Sequence, residues 1–220
     1  MEFLVMKKAF TLAEVLVTLM IIGVIAAMTI PGLRKNAEMR ELAAGCKKAY
    51  ASLYQAVDLT QNEIGPVRQW RWNDPDSFLT ELKTHMNIME DCKTKNCLDN
   101  NTYYEQSGSS GSWSLANARY IKMADGSQIV FYTCTGSVKG PCGVESYKQD
   151  PADTVYASFF YDVNGPKKPN TFGYDIFLFN LTKNGILSPA GSHDSSDCGT
   201  GKGRGLSCTA KVLKEGVISY

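Results

Sequence analysis

Between Phe10 and Leu33 the chain is apolar at nearly every position, a run of 24 residues whose one charge is Glu14. As a helix it would be about 36 Å long, enough to cross a hydrocarbon core of about 30 Å with some tilt. The run exceeds the roughly 7-to-15-residue core of a cleaved secretory signal, and no small-x-small site follows it, so it is expected to be retained. Pro31 and Gly32, near its outer end, predict a kink or local melting. From Lys35 to about Asn62 the pattern becomes periodic. Leu42, Cys46, Ala49, Leu53 and Val57 recur at three- and four-residue steps, and Glu38, Glu41, Lys47 and Lys48 fall off that stripe. One helix of about 50 residues is predicted, apolar all round in its first half and amphipathic in its second. Cys46 lies on the buried stripe and reads as an inert core thiol.

Beyond the helix the period shortens. Residues 74–90, DPDSFLTELKTHMNIME, read as a short helix with an Asp/Pro/Asp start. A polar stretch to about Asn117 follows, with SGSSGS (107–112) read as a mobile loop. ARYIKM and QIVFYT flank Ala124-Asp125-Gly126-Ser127, an Asp-Gly hairpin signal. TVYASFFYDV and YDIFLFNL read as strands, and Asn184-Gly185 turns the chain toward ILSPAG. A long helix followed by a small antiparallel sheet that covers its stripe is an α+β architecture. Trp70, Trp72 and Trp113 are expected to be partly buried ballast beside the helix.

Charge narrows the functions. Lys+Arg 23 against Asp+Glu 22 gives +1 over 220 residues, which supplies no field for drawing in nucleic acid. The seven cysteines say more. Six form close pairs, Cys92/Cys97, Cys134/Cys142 and Cys198/Cys208, around polar loops, as disulfides made outside the cytoplasm would. The alternative is a zinc site built from Cys92, Cys97, Cys134 and Cys142, whose spacings are looser than those of zinc knuckles. Orientation by charge is divided. Lys7 and Lys8 mark a cytoplasmic side, whereas Arg34, Lys35 and Arg40 beyond the far end favour the reverse by count. Long domains translocate regardless of such counts and paired cysteines need an oxidising side, so the C-terminal part is placed outside.

Glu14 is the anomaly of the apolar run. A carboxylate at the centre of a membrane helix costs about 2.5–3.5 kcal/mol on insertion scales, and less near the interface. In the headgroup zone it would simply snorkel. Were the chain cut between Ala9 and Phe10, however, Phe10 would acquire an ammonium one turn from Glu14. A neighbouring copy's ammonium, shifted by a short axial step, would then neutralise the carboxylate and fix the stagger between subunits.

Lys7-Lys8-Ala9-Phe10-Thr11-Leu12-Ala13-Glu14, followed by an apolar helix with Pro31, resembles the class III signal of type IV prepilins and type II secretion pseudopilins. The resemblance implies a pilin-like fold divided into a leader (1–9), a membrane and filament-core helix (10–33), its soluble continuation (34–62) and a disulfide-stapled globular domain (63–220). It implies cleavage by prepilin peptidase after Ala9, where the family usually has glycine, and methylation of Phe10. Glu14 becomes the assembly glutamate and Pro31 the helix-bending proline. Other pilin or pseudopilin subunits and an inner-membrane assembly platform are the implied partners. The implied location is a single-pass inner-membrane precursor with its C-terminal domain outside, and then a pilus or pseudopilus.

Residues 159–191, FFYDVNGPKKPNTFGYDIFLFNLTKNGILSPAG, also resemble pseudopilin C-terminal modules. In major pseudopilins a loop of this region binds calcium, which would make Asp162, Asn164 and Asp175 oxygen donors, in keeping with an Asp-x-Asn loop start. Lys167 and Lys168 between them, and the ordinary Asn164-Gly165 turn pair, argue for a plain loop. No cofactor is required. Ser192-His193-Asp194 supplies the residue types of a hydrolase triad, but adjacent loop residues are not spaced for the relay, and no enzyme is expected. The leading expectation is a structural filament subunit. The alternative is a minor pilin acting as a tethered binding module for adhesion, DNA uptake or a secretion substrate.

Overall fold

The uniform run and the periodic stripe form a single helix, α1 (Leu12–Ile64), 53 residues long, in a computed structural model of the chain. The described residues are 10–220 apart from 73, 100, 114–117, 135–154, 197, 200 and 202. Two units are distinguished, one up to Glu38 and one from Met39. In the first, the helix is continuous through Pro31, so the expected melting is not seen there. Its apolar side chains lie open: Leu16, Ile22 and Leu33 are each more than half exposed. Thr18 and Thr29 return their hydroxyls to the carbonyls of Val15 and Ile25, at 2.9 and 3.0 Å, which leaves no side-chain hydroxyl needing water.

In the second unit, α2 (Pro75–Thr84) and α3 (Cys208–Glu215) accompany the remainder of α1. The strands are β1 (Ile88–Lys93), β2 (Thr102–Tyr104), β3 (Ser110–Ser112), β4 (Arg119–Met123), β5 (Gln128–Thr133), β6 (Val155–Asp162), β7 (Ile176–Thr182) and β8 (Leu187–Pro189). Six of them make one sheet in the order β1-β4-β5-β6-β7-β8, every pair antiparallel, and β2 and β3 form a separate hairpin. The fold is α+β, as the order of elements predicts, and pilin-like, as the resemblance implies.

The middle strands read as continuous apolar runs because both faces of the sheet are covered. Ile129 and Phe131 of β5, Phe159 and Tyr161 of β6, and Phe177, Phe179 and Leu181 of β7 join Cys46, Leu53 and Val57 of α1 in one core. Their alternate neighbours Val130, Phe160 and Leu178 join Trp113, Phe172 and Leu206 in a second. A fully buried Phe or Leu contributes about 1.5–3 kcal/mol, so this second cluster is a core in its own right.

Two further expectations change. The helix predicted over 74–90 stops at Thr84, and its tail is the edge strand β1, whose Asp91 pairs with Ile121 of β4. Pairing with β4 outweighs the local helical pattern. SGSSGS is not a free loop, since Ser110–Ser112 is strand β3, opposite Thr102–Tyr104. The C-terminal helix α3 was not foreseen at all.

Candidate functional site

At the start of α1 the backbone of Phe10 and Thr11 is not helical, and Phe10 is fully open at 86% exposure. Thr11 is the N-cap, its carbonyl accepting from Val15 N at 3.3 Å. Its hydroxyl accepts from Glu14 N at 3.2 Å. In return, Glu14 Oε2 accepts from Thr11 N and from Thr11 Oγ1, both at 2.9 Å. This is a capping box, in which two orphan donors at the helix start are satisfied reciprocally. The carboxylate therefore has neutral donors in its own chain but, among the described residues, no cation. Thr11 was missed as a functional residue, although Thr-x-x-Glu before an apolar run is the sequence signal for this motif.

The other predicted oxygen donors converge on the β6–β7 connection. Asp162 ends β6, and its Oδ1 accepts from Asn164 N and Gly165 N at 3.3 and 2.9 Å. Asp175 immediately precedes β7. Its two oxygens accept from Asn170 N and Thr171 N at 2.6 and 2.7 Å. Gly165 takes φ +64°, and a Cβ there would collide with the Gly126 carbonyl, so glycine is required at this close approach. Burial, and secondarily the charge of Asp175, pushes the Asp162 carboxyl up to about 8. Burial likewise raises Asp175 to about 6, against the pull of its backbone donors. The Asn164 side chain lies against Asp175 and donates through Nδ2 to Lys168 O, while its buried Oδ1 has no donor. Two buried carboxyls and an orphaned amide oxygen are what a hard cation, or added protons, would satisfy. Lys167 and Lys168 are exposed.

Residues 5–30 match the family model of the prokaryotic N-terminal methylation motif. The chain carries the signal of type IV pilins and pseudopilins. No curated protein and no solved structure matches it. The motif marks a type IV pilin-like, processed subunit, and with the exposed apolar helix it fits a single-pass membrane anchor. The capping box lies within the matched residues and orders the helix from Thr11 onward.

The remaining candidates of the pilin-like chain resolve into structure. Cys92–Cys97 and Cys198–Cys208 are disulfides. The first bond removes two of the four thiolates that a zinc site would need. Cys134 is disulfide-bonded as well, while its expected partner Cys142 lies outside the described residues. Cys46 is fully buried in the helix–sheet core, where burial raises its thiol well above the ordinary value. Trp70 and Trp113 are buried and Trp72 half-buried, with Trp70 Nε1 and Trp72 Nε1 donating to the carbonyls of Gly65 and Val67 at 2.8 and 3.0 Å. Ser192, His193 and Asp194 line a cleft of about 530 Å³ beside α3. There Ser192 Oγ pairs with Ser188 Oγ at 3.2 Å and Asp194 Oδ1 accepts from Ser196 N at 2.8 Å.

Proposed function

We propose that this chain is a structural subunit of a type IV pilus or a type II secretion pseudopilus. Prepilin peptidase removes residues 1–9, Phe10 is methylated, and subunits delivered to an inner-membrane assembly platform polymerise through the apolar helix. The observation that carries this reading is Glu14 on an otherwise apolar, uncovered helix, within a methylation motif and one turn from the expected new amino terminus. In a bundle of such helices the ammonium of a neighbour's Phe10 meets Glu14 and sets the stagger. Glu14→Ala should block incorporation into filaments while the globular part remains folded, checked by filament shearing and by disulfide mapping of the unassembled subunit. Wild-type filaments from that variant would refute the assembly role. The mass of the mature N-terminal peptide tests the processing step directly.

A divalent cation at the β6–β7 turn is the second part of the proposal, with Asp162, Asp175 and Asn164 Oδ1 as its protein oxygens. The orphaned, buried Asn164 oxygen favours it. Such an ion would neutralise two carboxylates whose charge burial disfavours. Millimolar calcium should raise the melting temperature of the chelator-treated protein at pH 8. An unchanged melting temperature would end the cation reading.

A further inference from the structure

The cleft of about 530 Å³ beside α3 is lined by Ser192, His193 and Asp194 from the segment after β8 and by Lys211, Lys214 and Glu215 from α3. Its size is that of a site for one small molecule. Lys211 and Lys214 stand one helical turn apart, and among the described residues neither meets a carboxylate. Lys211 Nζ instead lies over the Tyr220 ring, 5.4 Å from its centre. The two carboxylates have donors of their own: Asp194 Oδ1 accepts from Ser196 N at 2.8 Å and Glu215 Oε2 from Ser219 Oγ at 3.4 Å. Behind Ser192 the polar groups continue inward. Ser192 Oγ pairs with Ser188 Oγ at 3.2 Å, and Ser188 stands opposite Asn180 across the β7–β8 pair. Asn180 is fully buried, and its Oδ1 accepts from Ser158 Oγ at 2.7 Å on the β6 side, yet its Nδ2 has no acceptor. An unpaired donor behind the serine pair favours lone pairs turned inward on Ser188, with its proton toward Ser192. The Ser192 proton is then left to donate into the cleft.

We propose that this cleft binds a sugar bearing a carboxylate, with Lys211 and Lys214 taking the anionic group and Ser192, His193 and Glu215 Oε1 the neighbouring hydroxyls. The charge in the cleft selects this class. Two lysines beside two carboxylates make no field for a polyanion such as nucleic acid, but they suit a ligand that presents one anion among neutral hydroxyls. The lysines supply charge-assisted bonds to the carboxylate, and the serine, histidine and glutamate supply the mixed donors and acceptors that hydroxyls need. The site lies on the globular part of the chain and stands whether or not the chain polymerises.

Ligand-observed NMR titration of the full chain in detergent micelles tests the site, with glucuronate as the probe and glucose, acetate and inorganic phosphate as comparisons. Glucuronate should bind with a Kd of about 1 mM, and each comparison ligand about tenfold or more weakly. Lys211→Gln and Lys214→Gln should each weaken glucuronate about fivefold, and Ser192→Ala about threefold, with melting temperatures unchanged because these side chains are not in the core. Acetate or phosphate binding as tightly as glucuronate would overturn the sugar, and glucose binding as tightly would overturn recognition of the carboxylate. No binding of glucuronate up to about 50 mM overturns the site altogether. Undiminished binding in a folded Lys211→Gln/Lys214→Gln double variant would put the ligand elsewhere and overturn the assignment as well.

Discussion

Replacing Asp162 by Asn should flatten the pH dependence of stability of this protein. In the fold both carboxyls of the β6–β7 turn titrate above their ordinary value of 3.8, Asp162 at about 8 and Asp175 at about 6. The folded chain therefore holds protons that the unfolded chain releases from about pH 4 upward. The sign follows: the contribution of these two carboxyls is most favourable below about pH 4, falls as pH rises from about 4 to 8, and levels off above the folded value of Asp162. At pH 7 the burden of Asp162 is about 3 pH units above its unfolded value, or about 4 kcal/mol at 1.36 kcal/mol per unit. Water reaching the turn reduces this, and about 2–4 kcal/mol is the expected range. For a unit of this size each kcal/mol moves the melting temperature by about 2–4 °C. Asn keeps an oxygen to accept from Asn164 N and Gly165 N, and its amide adds a donor to a turn that contains the unpaired Asn164 Oδ1. With chelator present, wild type should lose about 5–10 °C between pH 5 and pH 8, and Asp162→Asn should lose less than half as much. A wild-type melting temperature that holds steady or climbs across that range, or an identical slope in the variant, would refute the burial argument.

Other perturbations act on separate parts of the molecule. Thr11→Val removes the N-cap hydroxyl and should loosen the first turn of α1 by about 1 kcal/mol, whereas Thr11→Ser keeps it. Amide exchange over residues 12–16 in micelles distinguishes the two, and equal rates would show that the capping box contributes nothing. Breaking Cys198–Cys208, which spans a sequence separation of 10, with a pair of serines should destabilise the C-terminal module by about 2–3 kcal/mol in the chain-entropy model. Denaturant unfolding measures this, and an unaltered midpoint would mean that Gln106, which donates to both Phe172 O and Cys208 Sγ, already holds that loop.

How much of this was legible depends on whether the signal is local. The length of α1, its stripe at Leu42, Cys46, Ala49, Leu53 and Val57, and strands β4 to β7 all announce themselves by period and by turn residues. β1 did not, because Ile88 and Met89 continue the apolar spacing of α2 and only the partner β4 makes that segment extended. The second core was hidden for a similar reason: Trp113, Phe172 and Leu206 come from three separated segments and meet only once the sheet exists. At the β6–β7 turn the residue types were visible, but their burial and the orphaned Asn164 oxygen depend on packing from α1 and the β4–β5 turn.

Glu14 joins the two kinds of information. The capping box places both Thr11 donors on Oε2, and among the described residues Oε1 has no partner. Neutral donors orient a carboxylate and ease its desolvation, but they leave its charge intact. An apolar bundle accepts that charge only beside a cation, and the described part of the chain offers Glu14 none. Thr11 therefore completes half of the requirement within the subunit by fixing the helix start and holding one oxygen in place. The other oxygen is left for a positive group, which under the proposed function is the freed Phe10 amine of a neighbouring subunit. If so, Thr11→Val should impair assembly less than Glu14→Ala does, because it disturbs the aim and leaves the charge in place. Filament yields compared side by side decide this, and a Thr11→Val defect as complete as that of Glu14→Ala would mean that orientation, rather than charge, is what assembly requires.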